Sequence, residues 1–275
     1  MRRKFMNKMI KMKYKDFTLH TYKGYVQNNF LIEYKDKILL LDGACRPDAD
    51  LIAGFIHNKL KRDIKDLKLT AVTHCHPDHA GAAYILREKY NVPAAAPRDM
   101  DLWYSGIGGS MQHISDTLQS QFMAKQMKPE LKIKSESLFY KRLLNPDYNL
   151  DDQSLLPFFS DWRAISAPGH TFHNMMLYNE KNRVLYIADS IIDSRGKFLP
   201  PVPVLFPRAM KETLLKIKAL KPETILFAHS ESAILPYKDD MIDETIKRID
   251  SKDSLFIRFF YLISKFTGEY RKNKE

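Results

Sequence analysis

A chain of 275 residues that is 44% hydrophobic and 28% charged can bury a large core, which excludes a disordered or low-complexity protein. Two cysteines exclude a disulfide framework and point to a reduced, cytoplasmic setting. The formal charge of +11 suggests a nucleic-acid or membrane partner, yet residues 1–15 hold seven Lys or Arg and no acid, leaving +4 elsewhere, so a nucleic-acid groove is not favoured.

In that basic N-terminus the apolar residues stand singly among lysines, without the continuous apolar run of a signal peptide. No later stretch has the length of a membrane span. "NNFLIEY" and "KILLLDG" read as adjacent strands joined by a turn at Lys35, Asp36 and Lys37. "DADLIAGFIHNKLKR" places Leu51, Phe55, Ile56 and Leu60 at helical spacing, with Asp48 or Asp50 as the expected N-cap. "LKLTAVT" reads as a strand, "AGAAYILREKY" as a helix, and "VPAAAP" as a short strand. Residues 98–160 read as mainly helical and irregular. Strand pattern returns in "WRAISA", "MMLYN" and "RVLYIAD". The helix "PRAMKETLLKIKAL" then leads to the strand "TILFAH" and a helical tail.

Strands thus fall in two batches, each closed by helices, which predicts a four-layer αββα sandwich of the α+β class. No linker divides the chain. It is expected to be a single domain over 1–275, with a core at 16–238, a helical lid insertion at 98–160 and a C-terminal helical tail at 239–275.

The chemistry is concentrated in "HCHPDH", where His74, His76, Asp78 and His79 lie between a strand and a helix. Pro77 drives His76 toward an extended conformation, and in extended chain His74 and His76 share a side. Asp78 and His79 approach from the turn into the helix. A lone histidine at a strand end is ordinarily a surface or capping residue, but packing gives no reason to gather four groups that are costly to desolvate unpaired. Imidazole and carboxylate together accept Zn²⁺, Fe²⁺ or Mn²⁺, and four of them in one loop suggest two ions.

"HCHPDH" resembles the H-x-H-x-D-H signature of the metallo-β-lactamase superfamily. In chain order, "SAPGHT" resembles its third motif with His170, "VLYIADS" the strand ending at a bridging Asp189, and "ILFAHSES" the strand ending at His229. "NNFLIEYKDKILLLDG" resembles its opening strand pair. The resemblance implies that His74, His76 and His170 hold one metal ion, that Asp78, His79 and His229 hold the other, and that Asp189 bridges them. It implies two divalent ions, zinc first, with iron or manganese as alternatives. A water between the ions would be deprotonated near neutral pH and oriented by Asp78, which serves as the catalytic residue.

The expected activity is hydrolysis of an ester, lactone or thioester on a small-molecule substrate, in the glyoxalase II and lactonase-like branch. Phosphodiester or RNA cleavage is the first alternative, and a mononuclear iron sulfur dioxygenase the second. Certain family features are absent. Asp189 stands where several true lactamases carry cysteine, and His76 stands where the flavodiiron branch has glutamate. Only 46 residues follow His229, against the long helical domain of glyoxalase II, and "DSIID" lacks the tyrosine of the lactonases. Another hydrogen-bond donor is therefore needed. Tyr104, His113, His173 and Asn174 are candidates, each with ordinary packing as the competing explanation.

Within the insertion, Met111, Ile114, Leu118 and Phe122 recur at helical spacing, as an apolar lid over the substrate or as a helix packed on the core. Trp103 and Tyr104 are open to the same two readings. Leu255, Phe256, Phe259, Phe260, Ile263 and Phe266 form an aromatic helical face that needs covering, by the core or a homodimer partner, or alternatively by an anionic membrane.

Overall fold

The structure is a computed structural model that describes residues 9–127, 140–249 and 262–274. The chain separates into two compact units. One comprises Met1–Ala96, Asp116–Asn149 and Pro157–Phe159, and the other Pro97–Ser115, Leu150–Leu156 and Ser160–Glu275, described residues only being meant.

The first unit is built on a sheet of seven strands in sequence order. β1 (Ile10–Lys13), β2 (Thr18–Lys23), β3 (Asn28–Glu33) and β4 (Ile38–Leu41) form an antiparallel meander. Helix α1 (Asp48–Phe55), extended by a π-turn over Ile56–Leu60, carries the chain to β5 (Leu67–Ala71), parallel to β4. Helix α2 (Pro77–Tyr90) leads to β6 (Ala94–Pro97), parallel to β5. Leu31, Leu40 and Leu67 of the sheet pack with Ile52 and Phe55 of α1 and with Ala82 and Leu86 of α2. Each of Ile38 to Leu41 is buried, so both faces of β4 are covered and the run is continuously apolar rather than alternating.

α1 departs from expectation at its start. Pro47 occupies the N-cap position without a side-chain bond. Asp48 lies one residue inside, and its carboxylate accepts from Cys45 N (3.2 Å) and Tyr25 N (3.1 Å) instead. Asp50 lies in the first turn and pairs with Lys89 at 2.9 Å. Tertiary partners thus took both carboxylates away from the capping role.

Among its described residues, region 98–160 contains one long helix, α3 (Gly106–Met127), and two short strands unmarked in the sequence, β7 (Tyr148–Leu150) and β8 (Leu155–Leu156).

The second unit holds a sheet in which β8 is followed by β9 (Phe159–Ser166), β10 (Met175–Asn179) and β11 (Val184–Tyr186). A small hairpin, β12 (Ile192–Ser194) with β13 (Lys197–Leu199), precedes α4 (Pro207–Leu220). α4 is the crossover to β14 (Thr224–Leu226), parallel to β11, and β15 (Ile234–Pro236) closes the edge. α5 (Asp239–Ile249) and α6 (Gly268–Asn273) follow. Met210, Leu214 and Ile217 recur along one side of α4 and pack with Met176, Leu185 and Ile225 of the sheet, with Phe227 just past β14 and with Ile242 of α5. Pro207 at the first helical position and left-handed Lys221 after the last delimit α4.

Residues 1–8 of the basic terminus and Leu255, Phe256, Phe259 and Phe260 of the aromatic face lie outside the described residues. Ile263 is half-buried and Phe266 exposed. Among the described residues, no helix is long and apolar enough to cross a membrane.

Candidate metal centre

In each unit the polar residues of interest follow the C-terminal ends of strands, where open α/β sheets leave room for ligands. In the first unit β4 ends at Asp42, and β5 runs through Val72 and Thr73 to His74. His76 has extended backbone (φ −60°, ψ 150°) and caps α2, Pro77 takes the first helical position, and Asp78 and His79 occupy the first turn. The loop therefore gathers His74, His76, Asp78 and His79 as expected. The His74 ring centroid lies 4.8 Å from that of His76 and 4.1 Å from that of His79.

Asp42 organises this set. It accepts from Gly43 N (2.9 Å) and Thr73 N (3.1 Å) through Oδ1, and from His79 Nδ1–H (2.6 Å) and the Thr73 hydroxyl (2.8 Å) through Oδ2. Because the Thr73 proton is committed to Asp42, Thr73 Oγ1 accepts from His74 Nδ1–H at 3.2 Å. Both imidazoles are thereby held as tautomers whose Nε2 lone pair is available to an ion. Asp42 is left-handed (φ 69°), a conformation Asp tolerates better than most residues. The neighbouring Gly43 admits no side chain, since a Cβ there would stand 2.4 Å from His79 O. The Asp-Gly pair at the end of β4 is visible in the sequence, but its service to two histidines depends on a contact 37 residues distant.

In the second unit His170, Asp189 and His229 are brought together. His170 follows β9 and donates Nδ1–H to Pro203 O at 2.7 Å, leaving Nε2 toward Asp189 Oδ2 at 3.5 Å. Asp189 sits in a short turn after β11, with Ala188 left-handed before it (φ 44°). Its Oδ1 lies 3.3 Å from His229 Nε2. The loop of His229 is anchored where Asp193 N donates to His229 O (3.1 Å) and Ser230 Oγ donates to the Asp193 carboxylate (3.0 Å). All seven expected ligands thus fall into these two sets.

The residues fit a divalent metal. Neutral imidazole and carboxylate are the donors such ions take, and bonds of about 2.1 Å in tetrahedral array set neighbouring donor atoms about 3.4 Å apart. The separations His170–Asp189 (3.5 Å), His229–Asp189 (3.3 Å) and His79–Asp78 (3.7 Å) match that figure. The hydrogen-bonded partners of His79 and His170 sit closer, at 2.6–2.7 Å.

The auxiliary donors considered from sequence turn out to be occupied in packing. Asn174 is buried and its amide donates to Ala167 O (3.0 Å). His173 Nδ1 is held by the buried Glu269 carboxylate at 2.5 Å. Trp103 and Tyr104 are fully buried, with the Tyr104 ring against His113 (4.8 Å). The apolar stripe of α3 is not packed on the core, which corrects that one of the two sequence readings: Met111, Ile114, Leu118 and Phe122 are exposed, and Ile107 is 85% exposed. The buried side of this helix is polar, carrying Gln112, His113, Asp116, Thr117, Ser120 and Gln121.

The profile of the metallo-beta-lactamase superfamily matches residues 22–229. The chain is 25% identical over 204 residues to the probable metallo-hydrolase YflN of Bacillus subtilis, covering 64% of this chain and 70% of that one. It is 27% identical over 177 residues to the hydroxyacylglutathione hydrolase of Bartonella tribocorum, covering 64% and 53% respectively. Among solved structures, the metallo-beta-lactamase from Pontibacter korlensis superposes with a TM-score of 0.60 at 14% identity, over 89% of this chain and 100% of that one. An archaeal superfamily protein from Sulfolobus tokodaii gives 0.59 at 17% identity, over 90% and 94%. The fold is therefore that of these proteins, the α+β sandwich anticipated from the two strand batches. The chain belongs to the metallo-β-lactamase superfamily and is a metal-dependent hydrolase.

Proposed function

We propose that the two donor sets form one dinuclear centre, with His74, His76, His170 and Asp189 around one ion and Asp78, His79 and His229 around the other. The observation that carries this is Asp189. Its two oxygens are divided between two histidines, Oδ2 toward His170 and Oδ1 toward His229, as a bridging carboxylate requires. Two Zn²⁺ ions are the proposed cofactor, because five imidazoles and two carboxylates suit a borderline ion.

The proposed reaction is hydrolysis of an ester, lactone or thioester. A bound ion pair supplies an acidified water and a Lewis acid for the substrate carbonyl. The protein residues do the rest. Asp78 orients the water and receives its proton, with Ser120 Oγ donating to its Oδ1 at 3.5 Å. Asp42 and Thr73 keep His74 and His79 in a single tautomer, so the donors need no reorganisation during turnover. The name of the Bartonella relative, a hydrolase of hydroxyacylglutathione, supports the choice of an acyl group as the electrophile.

Asp189→Ala tests the reading. It is expected to lower occupancy of both ions, from two per chain toward none, and turnover by orders of magnitude. Elemental analysis after reconstitution and assay on lactones, thioesters and phosphodiesters give the answer. Two ions retained with unchanged turnover remove Asp189 from the centre, and phosphodiester cleavage alone replaces the acyl reading.

A further inference from the structure

Residues 167–174 connect β9 to β10 and carry His170, so whatever fixes this loop fixes a proposed ligand. The first half of the loop is held by α4 and the segment before it. Gly169 O accepts from Leu205 N and Phe206 N (2.9 Å each), Pro168 O accepts from the Thr213 hydroxyl (2.8 Å), and His170 Nδ1–H donates to Pro203 O (2.7 Å). Gly169 leaves no room for a side chain, since a Cβ there would stand 2.8 Å from Met210 Cα. The second half is held from 96 residues further along the chain. Glu269, on α6, is 1% exposed, and its carboxylate accepts from His173 N (2.9 Å), Phe172 N (3.3 Å) and His173 Nδ1–H (2.5 Å).

A buried carboxylate is costly unless hydrogen bonds or a cation compensate it. Here the compensating donors all belong to two successive residues, and bonds to a carboxylate are roughly twice as strong as bonds between neutral groups. Two consecutive amides directed at one carboxylate fix the path of the backbone immediately after His170 and Thr171. Ring packing repeats the connection. Phe172 lies 5.3 Å from Phe206, and Phe206 lies 5.6 Å from Tyr270, the residue after Glu269. Helix α6 is itself anchored, since Thr267 Oγ1 accepts from Tyr270 N at 3.2 Å and Lys272 pairs with Asp99 at 2.8 Å. The aim of His170 Nε2 therefore depends on two clamps, one on each side of the ligand.

We propose that Glu269 is a positioning residue for the metal centre: from the C-terminal helix, through Phe172 and His173, it holds the loop that aims His170 at its ion. This rests on the reading above that His170 is a ligand. It gives the C-terminal segment a part in the centre although none of the seven proposed ligands comes from it. It also explains why an acidic side chain near the chain end is buried.

The test is titration of metal-free protein with Co²⁺, followed by visible absorption and by competition with a chelator, beside urea denaturation of the same metal-free samples. In folded Glu269→Gln, one of the two Co²⁺ ions is expected to bind about tenfold more weakly, the lower end of what loss of an outer partner costs, with a change in the cobalt absorption bands. His173→Ala removes one donor and leaves both backbone amides to Glu269, so it should weaken the same ion and decides the matter should Glu269→Gln fail to fold. His173→Asn returns an N–H donor near the position of Nδ1 and should recover most of the loss. A carboxylate that serves stability alone would lower the urea midpoint and leave cobalt affinity and spectrum of the folded variants at wild-type values, and that result overturns the role of Glu269. Wild-type protein that takes up no cobalt overturns the dinuclear reading, and the role of Glu269 with it.

Discussion

Asp42 shows how much of the proposed metal centre depends on residues outside its ligand set. Its carboxylate collects four donors, two of which decide the tautomers of His79 and, through Thr73, of His74. Asp42→Ala should therefore lower metal affinity about 10–100-fold with every proposed ligand in place. Isothermal titration against the wild type measures this, and equal affinities count against the orienting role. A second consequence concerns His20, which is buried on β2 and whose pKa is lowered by that burial, against the opposing effect of the hydrogen bond that its Nε2–H donates to the Glu33 carboxylate at 2.8 Å. Between the lowered folded value and about 6.5 the unfolded chain binds the extra proton. Stability from neutral His20 is thus complete above about pH 6.5 and is lost as pH falls below it. The urea midpoint should drop less between pH 7.5 and 5.5 in His20→Gln than in wild type, and parallel profiles would show that His20 contributes nothing to the slope. The seven proposed ligands were legible as candidates in sequence because they lie just past strands or, for Asp78 and His79, in the first turn of the helix that follows one, in motifs of fixed spacing. The burial of Asp116 beside His76 was not legible, since nothing in a helical heptad shows which side will be buried.

Among the elements, α3 best shows the limit of periodicity. The spacing of Met111, Ile114, Leu118 and Phe122 identified a helix, yet period alone is silent on orientation. The usual inference that the apolar stripe points inward fails here because the buried side must present Asp116 and Ser120 to the loop of His76 and Asp78. Leu118→Lys or Phe122→Lys should consequently change stability by no more than about 0.5 kcal/mol, as for ordinary surface substitutions. Leu214→Ala in α4, whose stripe does face a core, should cost about 2–5 kcal/mol. Chemical denaturation of the three variants tests the contrast, and a large loss in Leu118→Lys would return that residue to the interior. Helix α4 was legible to the residue because its proline start and amphipathic period agree. β7 and β8 were not, being too short to show a period of two.

At the scale of the whole molecule, each compact unit has its own hydrophobic cluster and its own share of the proposed ligands, with His74, His76, Asp78 and His79 in one and His170, Asp189 and His229 in the other. A ligand that binds only the native state stabilises it by RT ln(1 + [L]/Kd), about 4 kcal/mol at a thousandfold excess over Kd. When the donors of both units serve the same pair of ions, that stabilisation applies only while both units are folded, so metal must make their unfolding cooperative. Calorimetry of the metal-loaded protein should give one sharp transition, and chelator should lower its midpoint and broaden or divide it. Asp189→Ala, deprived of the proposed bridging carboxylate, should resemble chelated wild type whether or not metal is added. A midpoint that ignores both chelator and Asp189→Ala would mean that the two units owe nothing to shared ions, and the donors would have to be assigned to separate sites.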